Sequence, residues 1–377
     1  MAQQKLRIIH CFRSPVGGIF RHVRDLVEAH HNNGHEVGIL CDSLTGGAHE
    51  ERLFAEIEPK LGLGLTRIPM RRAITPGDLI ALRKTYKHIK ELRPDVLHSH
   101  GAKGGAYARI IGSLLRVSGT SVARLYCPHG GSIHYNAGSL KGRLFFALER
   151  AMERMSDRLI FVSDYEKSGY EAKVGPPRCP TSLIYNGLSP HEFVEVGEDP
   201  DATDFLYIGM MRDLKGPDVF LDALEKLYSA GEKVTAHFVG DGPDKESYIK
   251  RINTSDLKKF VTVHEAMPAR DAFRKAKCVV VPSRAESMPY IVLEAIAAGK
   301  PIICTNVGGI PEIFDQEPEQ LIAPGDSTIL AAAMRQMMAN KNRKSEAASR
   351  KSRLQERFSV AKMADDVMTA YRLSIKA

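Results

Sequence analysis

No stretch of this 377-residue chain approaches the ~18–20 consecutive apolar residues that a membrane-spanning helix needs. The apolar stretch nearest the N-terminus, Ile8–Phe12, is too short and too polar for a signal peptide and reads as a first strand. No C-x-x-C pair occurs among the six cysteines, Cys11, Cys41, Cys127, Cys179, Cys278 and Cys304. Five of them lie in or beside apolar runs, where a reduced cysteine behaves as a small hydrophobe. Core packing in a reducing compartment is therefore expected, ahead of a metal or redox role. Neither the G-x-G-x-x-G dinucleotide fingerprint nor G-x-x-x-x-G-K-[ST] appears, which disfavours a dehydrogenase. No aromatic-interleaved basic strand is present, so nucleic acid is not an expected partner.

What remains is an ordinary globular composition, 43% hydrophobic and 26% charged, in a chain long enough for two domains. The charge is uneven. Residues 1–190 carry 27 Lys and Arg against 17 Asp and Glu, a net of +10, whereas residues 191–377 carry 26 against 28, a net of −2. A basic first half suits an anionic lipid surface or an acidic acceptor.

The periodicity alternates between short apolar runs and helical patterns. In the first half, strands are expected at 5–12, 36–42, 95–98, 121–127, 158–163 and 181–185. Helices are expected at 18–33, 76–92, 104–116 and 140–155. Residues 187–203 are acidic, contain Pro190 and Pro200, and show no usable period, which reads as a linker. Alternation then restarts, with strands at 204–209, 234–239, 260–264, 278–282 and 301–305. Phe220, Leu224 and Leu227 form an i, i+4, i+7 core stripe on the helix after Lys215. Such a pattern predicts an α/β protein of two doubly wound Rossmann-like domains, 1–187 and 204–359, joined by a linker at 188–203. The final helix, 360–377, is expected to return to the first domain.

In open parallel sheets ligands bind beyond the carboxyl ends of the strands, and the residues of chemical interest follow predicted strands. Arg13-Ser-Pro-Val-Gly17-Gly18 enters a helix, where backbone N–H groups and the positive dipole end attract an anion. Arg212 and Lys215 follow the first strand of the second half, beside a helix start that already disfavours cations. An anion such as a diphosphate resolves that conflict, and the two cations can offset charge on a leaving group as a metal otherwise would. Glu286 follows the strand at 278–282, Ser287 is placed to cap the next helix, and Pro289 fits its first turn. Glu294 falls inside that apolar helix, where an unpaired carboxylate is costly. His129-Gly130-Gly131 permits close approach of a sugar hydroxyl. His98-Ser-His100 has no Cys or carboxylate nearby, so no metal site is expected there. Asp199-Pro-Asp201 has the D-x-D form of metal-dependent sugar transferases but falls in the expected linker.

Together these segments closely resemble the GT-B-fold retaining glycosyltransferases of sequence family 4. The resemblance rests on Gly209…Arg212-x-x-Lys215-Gly216, Gly240-Asp-Gly-Pro243, Pro282-Ser…Glu286-x7-Glu294, Ala298-Gly-Lys-Pro301 and Gly308-Gly-Ile-Pro-Glu312. Weaker matches are Gly17-Gly18, Asp95-Val-Leu-His98-Ser-His100, His129-Gly130, Val162-Ser163 and Asn186-Gly187.

The resemblance implies two domains facing across a cleft, with Arg212 and Lys215 on the donor diphosphate, Glu286 on the donor sugar and Glu294 on the ribose. It also places Gly17, Gly18, Gly209, Gly240, Met267, Ser287, Met288 and Pro289 at the donor, and His129 near the sugar. Arg212, Lys215, Glu286 and His129 are thereby the expected catalytic set, with no metal and no cofactor, the nucleotide-sugar being a substrate. The family implies retention of the anomeric configuration and a saccharide or lipid-linked saccharide acceptor, as in bacterial polysaccharide assembly. A cytoplasmic enzyme with peripheral contact to anionic membrane is expected. Val263-His-Glu-Ala-Met267 stands where the family often has aromatic-x-Gly, and Ser287-Met288 where a Phe/Gly pair is common, leaving base and sugar open between UDP- and GDP-hexoses. A non-hydrolysing nucleotide-sugar epimerase and an inactive nucleotide-sugar-binding scaffold are the alternatives.

Overall fold

The structure, a computed structural model, describes residues 4–375 apart from 72, 74, 76 and 316. The chain divides into two compact units: unit 1 is Met1–Gly187 with Val360–Ala377, and unit 2 is Leu188–Ser359.

Unit 1 holds strands β1 (Arg7–Phe12), β2 (Glu36–Asp42), β3 (Leu65–Ile68), β4 (Val96–His100), β5 (Ala123–Cys127), β6 (Arg158–Phe161) and β7 (Thr181–Leu183). They form one parallel sheet in the order β3-β2-β1-β4-β5-β6-β7. The strands β1, β2, β4 and β5 are buried almost end to end, as central parallel strands are, although β1 and β4 carry the polar residues His10, His98, Ser99 and His100 in that buried position.

Strand β3 and the helices Ala48–Ile57 and Asp164–Lys173 are additions to the sequence reading. Strand β3 is Leu-Thr-Arg-Ile, half-buried at the sheet edge, so it lacks an apolar signature. The helix Ala48–Ile57 starts after Gly47, whose N–H donates to Glu50 at 2.8 Å. The helix Asp164–Lys173 starts on Ser163, whose Oγ accepts from Glu166 N at 3.0 Å. Pro76, expected to open the helix observed at Gly77–Leu92, lies outside the described residues.

The last helix, Val360–Ile375, packs in unit 1 against the helix Gly18–Asn32 and β5. Its Tyr371 is fully buried with the hydroxyl 2.7 Å from His98 Nδ1.

Unit 2 holds β8 (Thr203–Ile208), β9 (Ala236–Val239), β10 (Val261–His264), β11 (Ala276–Val281) and β12 (Ile302–Cys304) in the parallel order β10-β9-β8-β11-β12. The predicted stripe of the helix Pro217–Ser229 is in the core: Phe220, Leu224 and Leu227 pack with Phe205, Tyr207 and Phe238. Burying each such side chain is worth about 1.5–3 kcal/mol.

Residues 188–203 are not a free linker. Leu188 is buried and its N–H donates to Phe358 O at 2.9 Å, Val196 N donates to Ala298 O at 2.9 Å, and Asp199 N donates to Arg274 O at 2.8 Å. The segment lacks periodicity because it is irregular, and two of its acidic residues have ion-pair partners, Asp199 with Arg274 and Glu198 with Lys344.

Candidate functional site

In unit 2 the strand order reverses at β8, which has β9 on one side and β11 on the other. The loops leaving β8 and β11 therefore part from each other at the carboxyl edge of the sheet, and this is where an open α/β sheet leaves a crevice. The two loops are stitched together below that edge. Arg284 N donates to Leu214 O at 2.9 Å. The Arg284 guanidinium grips the Asp218 carboxylate at 2.8 and 2.5 Å. Burial pushes the Asp218 carboxyl up, but Arg284 outweighs it and holds the group below the usual carboxylate range. Gly216 has φ +67°, and a Cβ there would sit 2.1 Å from the Pro282 carbonyl oxygen, so only glycine allows the loops this close.

On that base sits an ion pair. Lys215 Nζ lies 2.6 and 2.7 Å from the two Glu286 carboxylate oxygens, and Ser283 Oγ donates to Glu286 Oε1 at 2.7 Å. Glu286 is only 6% exposed. Its backbone is held from behind by Gly308 (φ +61°), where a Cβ would fall 2.0 Å from the Glu286 carbonyl oxygen. Arg212, by contrast, is exposed, and its guanidinium makes no hydrogen bond or ion pair among the described residues. The edge thus carries an uncommitted Arg212 in the loop that also supplies Lys215, whose ammonium and the Glu286 carboxylate are already oriented by each other.

The other expected donor residues of unit 2 fall in the loops and the helix that follow these strands. Gly209 directly follows β8 and Gly240 directly follows β9, and Gly209 N donates to Val239 O at 3.0 Å. Met267 is half-buried in the loop after β10. Met288 and Pro289 are buried, so they shape the loop from beneath. Ser287 does not cap the following helix, Tyr290–Ala297; the residue before its first turn is Pro289, and no side chain caps it. Instead Ser287 Oγ is buried without a hydrogen-bond partner, while its carbonyl accepts from Gly309 N at 2.8 Å. Glu294 is half-buried in the fifth position of that helix. Ser283 was not singled out from the sequence; its spacing of three residues before Glu286 is the signal that was there to find.

In unit 1 the strand order reverses at β1, between β2 and β4. Gly17 and Gly18 are exposed at the start of the helix Gly18–Asn32, and Gly17 has φ +72° with open space where a side chain would be. That leaves helix-start N–H groups accessible to an anion. The histidines gather on β1, β4 and the loop after β5. Register pairs His10 with His98 and Phe12 with His100. His10 Nδ1 is 3.0 Å from His100 Nε2, and His100 Nδ1 is 3.0 Å from His129 Nε2. His22, from the helix Gly18–Asn32, meets Asn186 Oδ1 through Nδ1 at 3.1 Å. His129 sits at φ +50°, a conformation rarely adopted by a non-glycine residue and common at functional loops. Burial drives His100 and His129 well below the ordinary histidine range, and His22 to about 4. His10 and His22 were not singled out from the sequence, because β1–β4 register brings His10 beside His98 and the packing of the helix Gly18–Asn32 brings His22 against His100 and His129.

Asp199 is remote from the carboxyl edge; it lies just ahead of β8, its carboxylate 3.0 Å from Arg274.

The comparisons with known proteins follow this division. Residues 16–192 match the family model described as Glycosyltransferase Family 4, and residues 202–340 match that described as Glycosyl transferases group 1. TuaC of Bacillus subtilis (strain 168), a glycosyltransferase provisionally named for teichuronic acid biosynthesis, is 29% identical over 302 residues, 74% of this chain and 72% of its own length. The glycogen synthase of Mycobacterium tuberculosis is 24% identical over 346 residues, 86% of this chain and 83% of its own. Among solved structures, the sucrose-phosphate synthase of Thermosynechococcus elongatus superposes with a TM-score of 0.78 at 20% identity, covering 98% of this chain and 99% of that one. TarM of S. aureus superposes with a TM-score of 0.74 at 11% identity, covering 97% of this chain and 99% of that one. The fold is therefore that of the GT-B glycosyltransferases. The chain belongs to the glycosyltransferases of the family 4 type, its first unit matching the Family 4 model and its second the group 1 model.

Proposed function

We propose that the protein moves a hexose from a UDP- or GDP-sugar to a saccharide or lipid-linked saccharide, with retention and without a metal, in the building of a cell-surface polysaccharide. The observation that carries this reading is the carboxyl edge of β8 and β11, where an uncommitted Arg212 shares its loop with Lys215 of the Lys215–Glu286 pair. Arg212 takes the diphosphate bidentately and Lys215 adds a point charge as the bond from anomeric carbon to phosphate oxygen breaks. The electron pair leaves with the phosphate oxygen, the ring carbon flattens toward an oxocarbenium ion, and that oxygen accepts the proton of the incoming hydroxyl as the hydroxyl oxygen bonds to the ring carbon on the face just vacated. Glu286, fixed by Ser283 and Lys215, receives sugar hydroxyls, and Glu294 the ribose. His129 offers a ring nitrogen to a sugar hydroxyl. Buried Ser287 Oγ supplies one more polar atom at the same loop.

Support from relatives is of two kinds. A solved TarM structure is a complex containing UDP, and a starch synthase catalytic domain from Arabidopsis is bound to ADP and acarbose. TuaC is named for teichuronic acid biosynthesis.

Peripheral membrane contact draws on unit 1. On the helix Leu140–Met152 the side chains of Leu140, Leu144 and Leu148, at i, i+4, i+8, are all exposed, and Lys141 and Arg143 flank them. Such an apolar stripe beside cations suits an anionic bilayer surface. No helix among the described residues is long and apolar enough to cross a membrane.

A panel of nucleoside diphosphate sugars tests the reading. A matching donor at 100 times its Kd stabilises the protein by about 2.7 kcal/mol, and product should form only when an acceptor saccharide is added. Conversion of the sugar to an epimer with no acceptor would replace this reading with the epimerase alternative.

A further inference from the structure

The histidine cluster of unit 1 is more than the transfer reaction uses. His22, His100 and His129 each present one ring nitrogen within 4.8 Å of the others. His100 Nδ1 and His129 Nε2 are 3.0 Å apart, and the third nitrogen, His22 Nε2, is buried with no hydrogen-bond partner. We propose that His22 Nε2, His100 Nδ1 and His129 Nε2 form a site for one divalent transition ion of borderline softness, with Zn²⁺ as the favoured occupant.

Three observations carry it. The donor set is right: three neutral imidazoles bind Zn²⁺ at ~2.0–2.1 Å, which in tetrahedral geometry sets neighbouring nitrogens roughly 3.3 Å apart. The spacing seen needs shifts of only a few tenths of an ångström between His100 and His129.

The ring orientations are also right. A histidine that binds a metal through one nitrogen has its other held by an outer partner, which fixes the tautomer. His22 Nδ1 is held by Asn186 at 3.1 Å, and His100 Nε2 by His10 Nδ1 at 3.0 Å. These leave the proposed ligand nitrogens facing one another. Burial keeps all three rings neutral at pH 7, the form that coordinates.

Finally, the residue His129 is partly exposed whereas His22 and His100 are buried, so the loop after β5 is the side from which an ion would enter. A second triad, His10, His98 and His100, shares His100 but is buried throughout. It offers no such route, and His98 is already tied to Tyr371 at 2.7 Å. The ion would replace the existing His100–His129 bond at His129 Nε2 and leave its Nδ1 as the ring nitrogen for a sugar hydroxyl.

The site is tested by binding, without the transfer assay, so its failure leaves the proposed reaction untouched. Metal-free full-length protein is titrated with Zn²⁺ by calorimetry and with Co²⁺ by visible absorption at pH 7. One ion per chain and the intense bands of four-coordinate Co²⁺ are expected. His129→Asn, chosen because asparagine accepts positive φ, and His22→Gln should each weaken Zn²⁺ binding at least about tenfold. His98→Gln should leave it within about twofold. Should His22→Gln fail to fold, Zn²⁺ protection of His129 from diethyl pyrocarbonate in the native protein, mapped by mass spectrometry, takes its place. Absence of binding, weak six-coordinate Co²⁺ bands, unprotected His129, or loss of binding in His98→Gln with retention in His129→Asn would each overturn the assignment.

Discussion

Lys215 Nζ contacts both carboxylate oxygens of Glu286, at 2.6 and 2.7 Å, across 71 residues of sequence. A lysine and a glutamate that would each meet a different part of one donor are thus pre-oriented by each other before any donor is present. Their effects should be coupled. In a double-mutant cycle of Lys215→Gln and Glu286→Gln, donor binding should show a coupling energy of about 1–3 kcal/mol, as for residues in direct contact. Additive losses would mean that the pair separates when donor binds.

The two glutamates should fail differently. A contact equally strong in ground and transition states changes KM alone, whereas one that tightens in the transition state changes kcat. Glu286, in the loop with Lys215 and Ser283, is assigned to the reacting sugar, so Glu286→Gln should depress kcat by about 10²-fold or more, the scale of losing one preorganised electrostatic contact. Glu294, inside the helix Tyr290–Ala297, is assigned to the ribose, so Glu294→Gln should chiefly weaken donor and free nucleoside diphosphate. Normal nucleoside diphosphate binding by folded Glu294→Gln, with loss in Glu286→Gln, would reverse the assignment.

The legible parts of the fold were those whose burial writes a pattern. Five strands and the Phe220, Leu224, Leu227 stripe of unit 2 were readable because each buried element is apolar with its own period. Strand β3, half-buried at an edge, left no such trace, and residues 188–203 anchor through Leu188, Phe193 and Val196, without any repeat. For the candidate site, Arg212, Lys215 and Glu286 were readable as loop residues after strands. Their pairing was not, because it depends on which strands are neighbours. The same holds for His10 beside His98, a product of β1–β4 register, and for Ser287, whose neighbours suggested a cap where the chain instead starts its helix at Tyr290.

Transfer should survive chelation. The cations Arg212 and Lys215 stand where a metal would neutralise the diphosphate, and Asp199 is engaged with Arg274 ahead of β8. Activity in excess EDTA should remain within about twofold of the untreated enzyme, given that a metal supplying transition-state charge would be worth several kcal/mol. Abolition by EDTA with recovery on adding Mn²⁺ or Mg²⁺ would return Asp199 and Asp201 to consideration.

Membrane contact should need both the charge and the leucines. Each Lys or Arg near an anionic surface contributes about 1 kcal/mol, screened by salt. Vesicles rich in acidic lipid should sediment the protein at low salt and release it at high salt. Leu140→Ser with Leu144→Ser should weaken the binding while leaving thermal stability unchanged, since both side chains are exposed. Equal recovery on neutral vesicles would reduce the basic half to solvation.

The most direct measurement of the central claim is calorimetric binding of UDP and GDP, beside uridine and guanosine, to the wild type and to Arg212→Ala. If the edge of β8 and β11 is a diphosphate site, one of the two nucleotides should bind well above its nucleoside. Arg212→Ala should lose most of that difference, about 1.5–3 kcal/mol for a charge-assisted contact. Nucleotide binding equal to nucleoside binding, or a full diphosphate increment retained in Arg212→Ala, would contradict the account.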